Sequence, residues 1–271
     1  MIRRSLPLQA KGSDEQPESW LMISQVEHAR ISWQLASAWR GLLPGAPQPV
    51  RDEVLAAILH HDEGWNQWAP DPHVDPKLGR PYGFTEMPPA DAQQIWTHSI
   101  DACRSIGPLA GWMVASHFIV LQDKQDHDYS EWAPWLAVQH PRCDAWLAEW
   151  LAADRSHTER LANDCLVLLQ AFDWLSLWLC CRAPYTDAEP HESLELGRAG
   201  GPISPVCFRT DSHRSSADEP RRVVVEPWPF WGETLLLEAA TLLAPARKYA
   251  SYQEVREASR AVPNGWLLCP E

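Results

Sequence analysis

The sequence predicts a mainly α-helical protein, a helical bundle with a small C-terminal antiparallel β element packed on it. Three observations carry that expectation. Apolar residues recur at helical spacing through most of the first 182 positions. Glycine and proline, as Gly41, Pro44-Gly45 and Gly64, punctuate the early runs as helix stops. The β-branched run Arg222-Val223-Val224-Val225-Glu226, bounded by Pro227, comes only near the end of the chain. A chain of 271 residues with 45% apolar content can bury a full core.

Met1 to Leu6 reads as a short edge strand, and residues 9–18, with Lys11, Gly12 and Pro17, as a loop. A helix is predicted from about Ser24 to Trp39, with Ile31, Leu35 and Ala38 on one face. The next starts near Val50 and carries Val54, Leu55, Ile58 and Leu59 into His60-His61-Asp62, with Gly64 ending it. Residues 66–90 hold six prolines and read as one long irregular loop, a kind of segment that is often functional. Helices follow at about 91–105, 109–122, 131–152 and 155–182, the last being the most apolar and therefore central.

Residues 1–182 then form the helical body. Residues 183–220, rich in Pro, Gly, Ser, Asp and Glu, read as a surface excursion and partly disordered. Residues 221–271 form the small β/α element, with strands at Leu235–Leu243 and Gly265–Cys269 and a helix at about 252–261, all within one domain overall.

The net charge of −13 argues against a nucleic-acid backbone as partner. The sequence shows no apolar run of membrane-spanning length, and Met1-Ile2-Arg3-Arg4-Ser5 is followed by no signal core. The expectation is a soluble, cytoplasmic protein acting on a small molecule, with no membrane partner; the oligomeric state is not encoded in any motif. Seven cysteines occur without a CxxC pair, which excludes zinc-ribbon and thioredoxin-like motifs. Most of the 16 tryptophans, such as Trp146 with Trp150 and Trp174 with Trp178, fall at helical spacing and read as core packing. Trp65 and Trp68, directly after the His-Asp pair, read instead as an aromatic wall beside a ligand.

The chemistry lies in ionisable residues set in apolar runs. His61-Asp62 ends one such run, His117 lies within Trp112–Leu121, and Asp173 lies within Leu166–Leu175. A lone carboxylate there costs several kcal/mol or more to bury, and no Lys or Arg lies within a turn of Asp173. A bound metal would supply the missing cation, with nearby histidines as further ligands. The ordered inventory is His28, His61-Asp62, His98, His117 and Asp173, spread over five helices that a bundle can converge at one level. Adjacent His and Asp diverge by ~100° around a helix, so both reach one metal only at a frayed end.

This order of an early His, a His-Asp pair, further His and a late Asp resembles the HD-domain superfamily of metal-dependent hydrolases. The stretches around His28, His61-Asp62-Glu63-Gly64-Trp65, Gly79-Arg80-Pro81, Ser116-His117, Asp173-Trp174-Leu175-Ser176 and Glu226-Pro227-Trp228 more specifically resemble an uncharacterised bacterial family, domain of unknown function 3891. The superfamily resemblance implies an HD-like bundle in which His28, His61, Asp62 and Asp173 hold a divalent transition metal (Fe, Mn or Zn). One or two ions are implied, His98 and His117 serving a second ion or protonating a leaving group. Many dinuclear members carry Lys where this chain has Trp65, so Lys77 or Arg80 would contact an anionic group in its place. Trp65, Trp68, Lys77, Arg80 and Tyr82 are then the substrate-side residues. The implied activity is a metal-dependent phosphohydrolase, in which a metal-activated water attacks a phosphoester. A di-iron oxygenase using the same residues, and a non-enzymatic binding or sensor protein, remain open beside it.

Overall fold

Ser24 opens the helical body. Its hydroxyl accepts from the Glu27 amide and caps α1 (Gln25–Ala38), a contribution of about 1 kcal/mol. In this computed structural model, which describes residues 1–6, 19–70, 72–123, 129–185, 191–211 and 219–271, six more helices complete the body. They are α2 (Gln48–His60), α3 (Trp65–Trp68), α4 (Pro89–Ile106), α5 (Pro108–Asp123), α6 (Tyr129–Ala153) and α7 (Glu159–Cys181). Prolines stand in the first turns of α2 and α4, where a missing amide proton costs nothing. Thr158 caps α7 by accepting from Leu161 N. The apolar faces of α1, α5 and α7 meet in one large core that includes Ile31, Leu35, Val114, Leu169 and Phe172.

The expected mainly α bundle with a small antiparallel β element is overturned. The structure is about half helix and a fifth strand, an α/β mixture with two full sheets. The first has four antiparallel strands in the order β1 (Ile2–Leu6), β2 (Ser19–Ile23), β7 (Thr241–Pro245), β8 (Arg260–Val262). The second has five, in the order β3 (Ser193–Leu196), β4 (Val206–Thr210), β5 (Arg221–Glu226), β9 (Gly265–Pro270), β6 (Leu235–Glu238). Its β5–β9 pair is parallel, so this sheet is not purely antiparallel. A last helix, α8 (Tyr252–Ala258), packs on β7.

Two physical causes hid this β content. β2 is buried at every position: Trp20 and Met22 pack with Tyr249 and Tyr252, while Leu21 packs with Leu243 and Val262. A strand covered on both faces shows no polar alternation to read. β3 and β4 do alternate, but as runs of four and five residues inside the polar 183–220 segment. The parts of that segment at 186–190 and 212–218, and all of the predicted 9–18 loop, lie outside the described residues.

The 66–90 stretch is more ordered than one irregular loop. It holds α3, a Val74–Pro81 bridge and a tight 3-10 turn at Phe84–Glu86. By length and composition alone α7 is apolar enough to cross a membrane; here it packs against α1, α2 and α5.

Candidate metal centre

Four elements bring five ionisable side chains to one point: His28 from α1, His61 and Asp62 from the turn after α2, His117 from α5 and Asp173 from α7. His28 lies on the buried α1 face with Ile31, Ser32 and Leu35, at spacings of three, four and seven. Asp173 shares the buried α7 face with Leu169, Phe172 and Ser176.

The turn that presents both His61 and Asp62 depends on Gly64. Its φ of −59° is ordinary for any residue, so the glycine is not a left-handed helix stop. It is there for close approach: a Cβ at Gly64 would lie 2.0 Å from the Ile95 carbonyl oxygen of α4. The Gly64 amide also donates to Ser99 Oγ at 3.0 Å. Helix α4 therefore clamps the His-Asp turn through backbone and a hydroxyl.

Asp173 Oδ1 lies 2.9 Å from His28 Nε2 and 3.3 Å from His61 Nε2. Asp62 Oδ2 lies 3.9 Å from His28 Nε2 and 3.7 Å from His61 Nε2. His117 Nε2 stands 3.8 Å from Asp173 Oδ2. Ligand atoms of His28, His61 and Asp173 all fall within 4.8 Å of one another, and this group can bind a metal ion.

The outer nitrogens of two rings are already committed. His61 Nδ1 is 2.7 Å from the Ile58 carbonyl, which can only accept, so Nδ1 carries a proton. Ser176 Oγ lies 2.9 Å from the Asp173 carbonyl and 2.6 Å from His28 Nδ1, so the outer nitrogen of that ring is tied to a hydroxyl. Ser32 Oγ lies 2.7 Å from Ser176 Oγ and donates to the His28 carbonyl. In a neutral His61 ring the Nε2 lone pair then faces carboxylates, an arrangement that is repulsive without a cation between them, whereas His28 Nε2 is within hydrogen-bond distance of Asp173 Oδ1. His61 Nε2 is indeed buried without a hydrogen-bond partner.

The electrostatics say the same. Burial alone would lower the His61 imidazole, but Asp62 and Asp173 overcome it and raise its pKa to about 9. Burial pushes the Asp62 carboxyl up despite the neighbouring His61 and His28. Burial also opposes ionisation of Asp173, yet the adjoining His28 and His61 imidazoles hold it well below the usual carboxylate range. A proton on His61 therefore satisfies the site where a metal would otherwise stand, and imidazole with carboxylate is a donor set suited to Fe, Mn or Zn.

His98 is half-buried on α4 and makes no hydrogen bond or ion pair to the cluster; its neighbour Ser99 faces the His-Asp turn instead. Lys77 is exposed. Arg80 is bound to Glu86 Oε1 at 2.8 Å, and Tyr82 is half-buried with its amide on the His73 carbonyl. Trp65 is buried, and Trp68 packs on the His73 ring at 4.2 Å. Both tryptophans line a cleft of about 430 Å³ that also takes in Gln25 and Glu27 of α1. Sequence reasoning assigned no role to Ser32, Ser176 or Gln25. The available signal was a Ser four residues after His28 and another three after Asp173, in phase with each ligand.

A family described as a protein of unknown function, DUF3891, matches residues 13–243 of the chain. No curated protein and no solved structure matches it.

Proposed function

The chain belongs to the DUF3891 family, and we propose that it is a metal-dependent hydrolase acting on a small molecule. The observation that carries this is His61: Nδ1 is spent on the Ile58 carbonyl, and Nε2 faces two buried carboxylates with no hydrogen-bond partner. His28, His61 and Asp173 would hold a divalent ion, with Asp62 as a further carboxylate donor, the same ligands that the HD-like reading names. Such an ion supplies Lewis acidity and brings the pKa of water toward neutrality.

The chain's own residues do the rest. Ser176 and Ile58 orient the two rings. His117, on the Asp173 Oδ2 side, is positioned to carry a proton to a leaving group. The phosphoester expected from the resemblance gains no support from the neighbourhood, because Lys77 is exposed and Arg80 is already occupied by Glu86.

A second reading rests on one specific feature. His28, His61 and Asp173 are a two-histidine, one-carboxylate set, the donor pattern of non-haem Fe(II) oxygenases. Anaerobic purification with element-resolved metal analysis, followed by turnover assays, separates the two. Zn or Mn with hydrolysis in the absence of oxygen supports the hydrolase. Iron with oxygen-dependent turnover supports the oxygenase, and protein that takes up no metal overturns both.

A further inference from the structure

We propose that the substrate class of this site is an uncharged, largely apolar ester or amide, whose hydrocarbon part fills the cleft between α1, α3, α8 and the four-stranded sheet. The bond that breaks rests on the hydrolase reading; the nature of the occupant rests on the cleft alone.

The cleft is lined by residues of two segments that also carry cluster residues, α1 and the chain running from the His-Asp turn into α3. Gln25 is three residues before His28 on α1, and Trp65 is three residues after Asp62. On a helix that spacing places side chains on one face, one turn apart. The walls are mainly apolar, Met22, Trp65, Trp68, Leu242, Tyr252 and Val262 among them, and about 430 Å³ is room for a small organic molecule.

Charge decides against an anion. No Lys, Arg or His side chain lines the cleft; its ionisable groups include the Glu27 carboxylate and the buried α-amino group of Met1, whose pKa burial lowers to about 5. A phosphate or carboxylate body there would find no cationic side chain in the lining to pair with, since Arg30 is held by Glu27 outside it.

The polar groups of the lining are almost all spent. Ser24 Oγ accepts from Glu27 N, and the Glu27 carboxylate holds Arg30 and the Ala240 amide. Thr241 Oγ1 donates to the Ala239 carbonyl and accepts from Asn264 Nδ2. Two residues keep unmet capacity: Gln25 Oε1 and Trp65 Nε1 are buried without partners, and each residue is 5% exposed. A buried polar atom left unpaired costs about 1–3 kcal/mol, so these are the atoms a ligand would repay. They lie on the two lining residues three positions from His28 and from Asp62, where the one polar group of an otherwise apolar molecule would fall.

The reaction balances without a redox partner. The oxygen of water bonds to the acyl carbon, and the C–O bond of an ester or C–N bond of an amide breaks. Its electron pair leaves on the alcohol oxygen or amine nitrogen, which takes up the proton released from water. One water is consumed, and one acid and one alcohol or amine are formed.

The test separates occupant from chemistry. Nile red, a neutral apolar fluorophore, is titrated into wild type, Asp173→Asn and Ala240→Trp. Ala240 is exposed at the cleft rim, and the bond it makes to Glu27 is through its backbone amide, so the bulky variant keeps that contact. Saturable binding is expected in wild type and in Asp173→Asn, about tenfold weaker in Ala240→Trp. The ester p-nitrophenyl octanoate should displace the dye and p-nitrophenyl phosphate should not. With Zn, Mn or Fe loaded, the Michaelis constant for p-nitrophenyl esters should fall about tenfold for every two methylenes added, until the cleft is full.

No dye binding, or equal binding by Ala240→Trp, overturns the cleft assignment and leaves the hydrolase reading standing. Faster turnover of p-nitrophenyl phosphate, with no chain-length dependence among esters, overturns the acyl substrate and also leaves that reading intact. Ester binding with no hydrolysis of any ester or amide under any metal overturns the hydrolase reading and the scissile bond together.

Discussion

Glu86 and Asp62 are carboxylates from neighbouring stretches of the chain, and the fold treats them in opposite ways. Glu86 is partly exposed and surrounded by fixed donors: Arg3 at 2.7 Å, Arg80 at 2.8 Å and the Gly83 amide at 2.9 Å. Burial pushes its carboxyl up, but the Gly83 amide and the guanidinium of Arg3 outweigh this and lower it. Asp62 is buried and faces imidazole nitrogens at 3.7 and 3.9 Å, with no Lys or Arg ion pair among the described residues. Its carboxyl is pushed up by burial. A carboxylate needed for structure is given a permanent cation. A carboxylate left to histidines whose outer nitrogens are tied back has no fixed cation, and on the metal-site reading proposed above an exchangeable ion would take that place.

The sharpest way to break that contrast is Asp173→Ala. Metal content should fall from about one ion per chain to none, because the shared carboxylate between His28 and His61 is gone. In wild type, metal at about 100 times its dissociation constant should stabilise the fold by roughly 2.7 kcal/mol. The variant should show no metal-dependent rise in melting temperature. An equal rise in both proteins, seen by calorimetry with and without metal, removes Asp173 from the ligand set.

His117→Ala should cost less. His117 stands toward the far carboxylate oxygen of Asp173, at 3.8 Å, and outside the His28-His61-Asp173 ligand group. The variant should keep its metal and lose roughly 10²–10⁴ in kcat, the usual contribution of a general acid or base. Elemental analysis after dialysis, beside steady-state kinetics, decides it. If the metal leaves with His117, the proton-carrying role is wrong.

Ser176→Ala should be smaller again. It deletes the hydroxyl that fixes His28 Nδ1 without touching any donor to the ion. Metal affinity should fall by about 10–100-fold, the typical effect of losing a group that orients a ligand. Competition with a chelator measures it. Unchanged affinity means His28 needs no help from the hydroxyl pair.

How much of this is legible in the sequence depends on the range of the interaction. Asp173 and His117 stand out because each interrupts a long apolar run, and the helices α1, α2, α4, α5, α6 and α7 follow from local spacing. The sheets do not, because β2 pairs with β7 across most of the chain and no local pattern records a partner that distant. His98 and Arg80 show the same limit at side-chain scale. The rotation of α4 turns Ser99, not His98, toward the His-Asp turn, and the folding of 72–86 brings Glu86 to Arg80. Gly64 reads in the sequence as a helix stop, but the structure uses it to let α4 approach.

The smallest expected effect tests the other side of the contrast. Glu86→Gln keeps the shape and an acceptor for the Gly83 amide but removes the charge that Arg3 and Arg80 share. A partly exposed pair of this kind contributes about 0–1 kcal/mol, so the melting temperature should drop by at most ~2–4 °C for a chain of this size. Part of that loss should disappear at high salt, where exposed charges are screened. Arg3 also lies over the Trp20 ring at 5.4 Å, and that packing survives the substitution. Metal content should be unchanged, because Glu86 contributes no ligand atom to the His28-His61-Asp173 group. If Glu86→Gln strips the metal instead, the arginine network and the histidine cluster are one electrostatic unit, and the division between fixed and exchangeable cations fails.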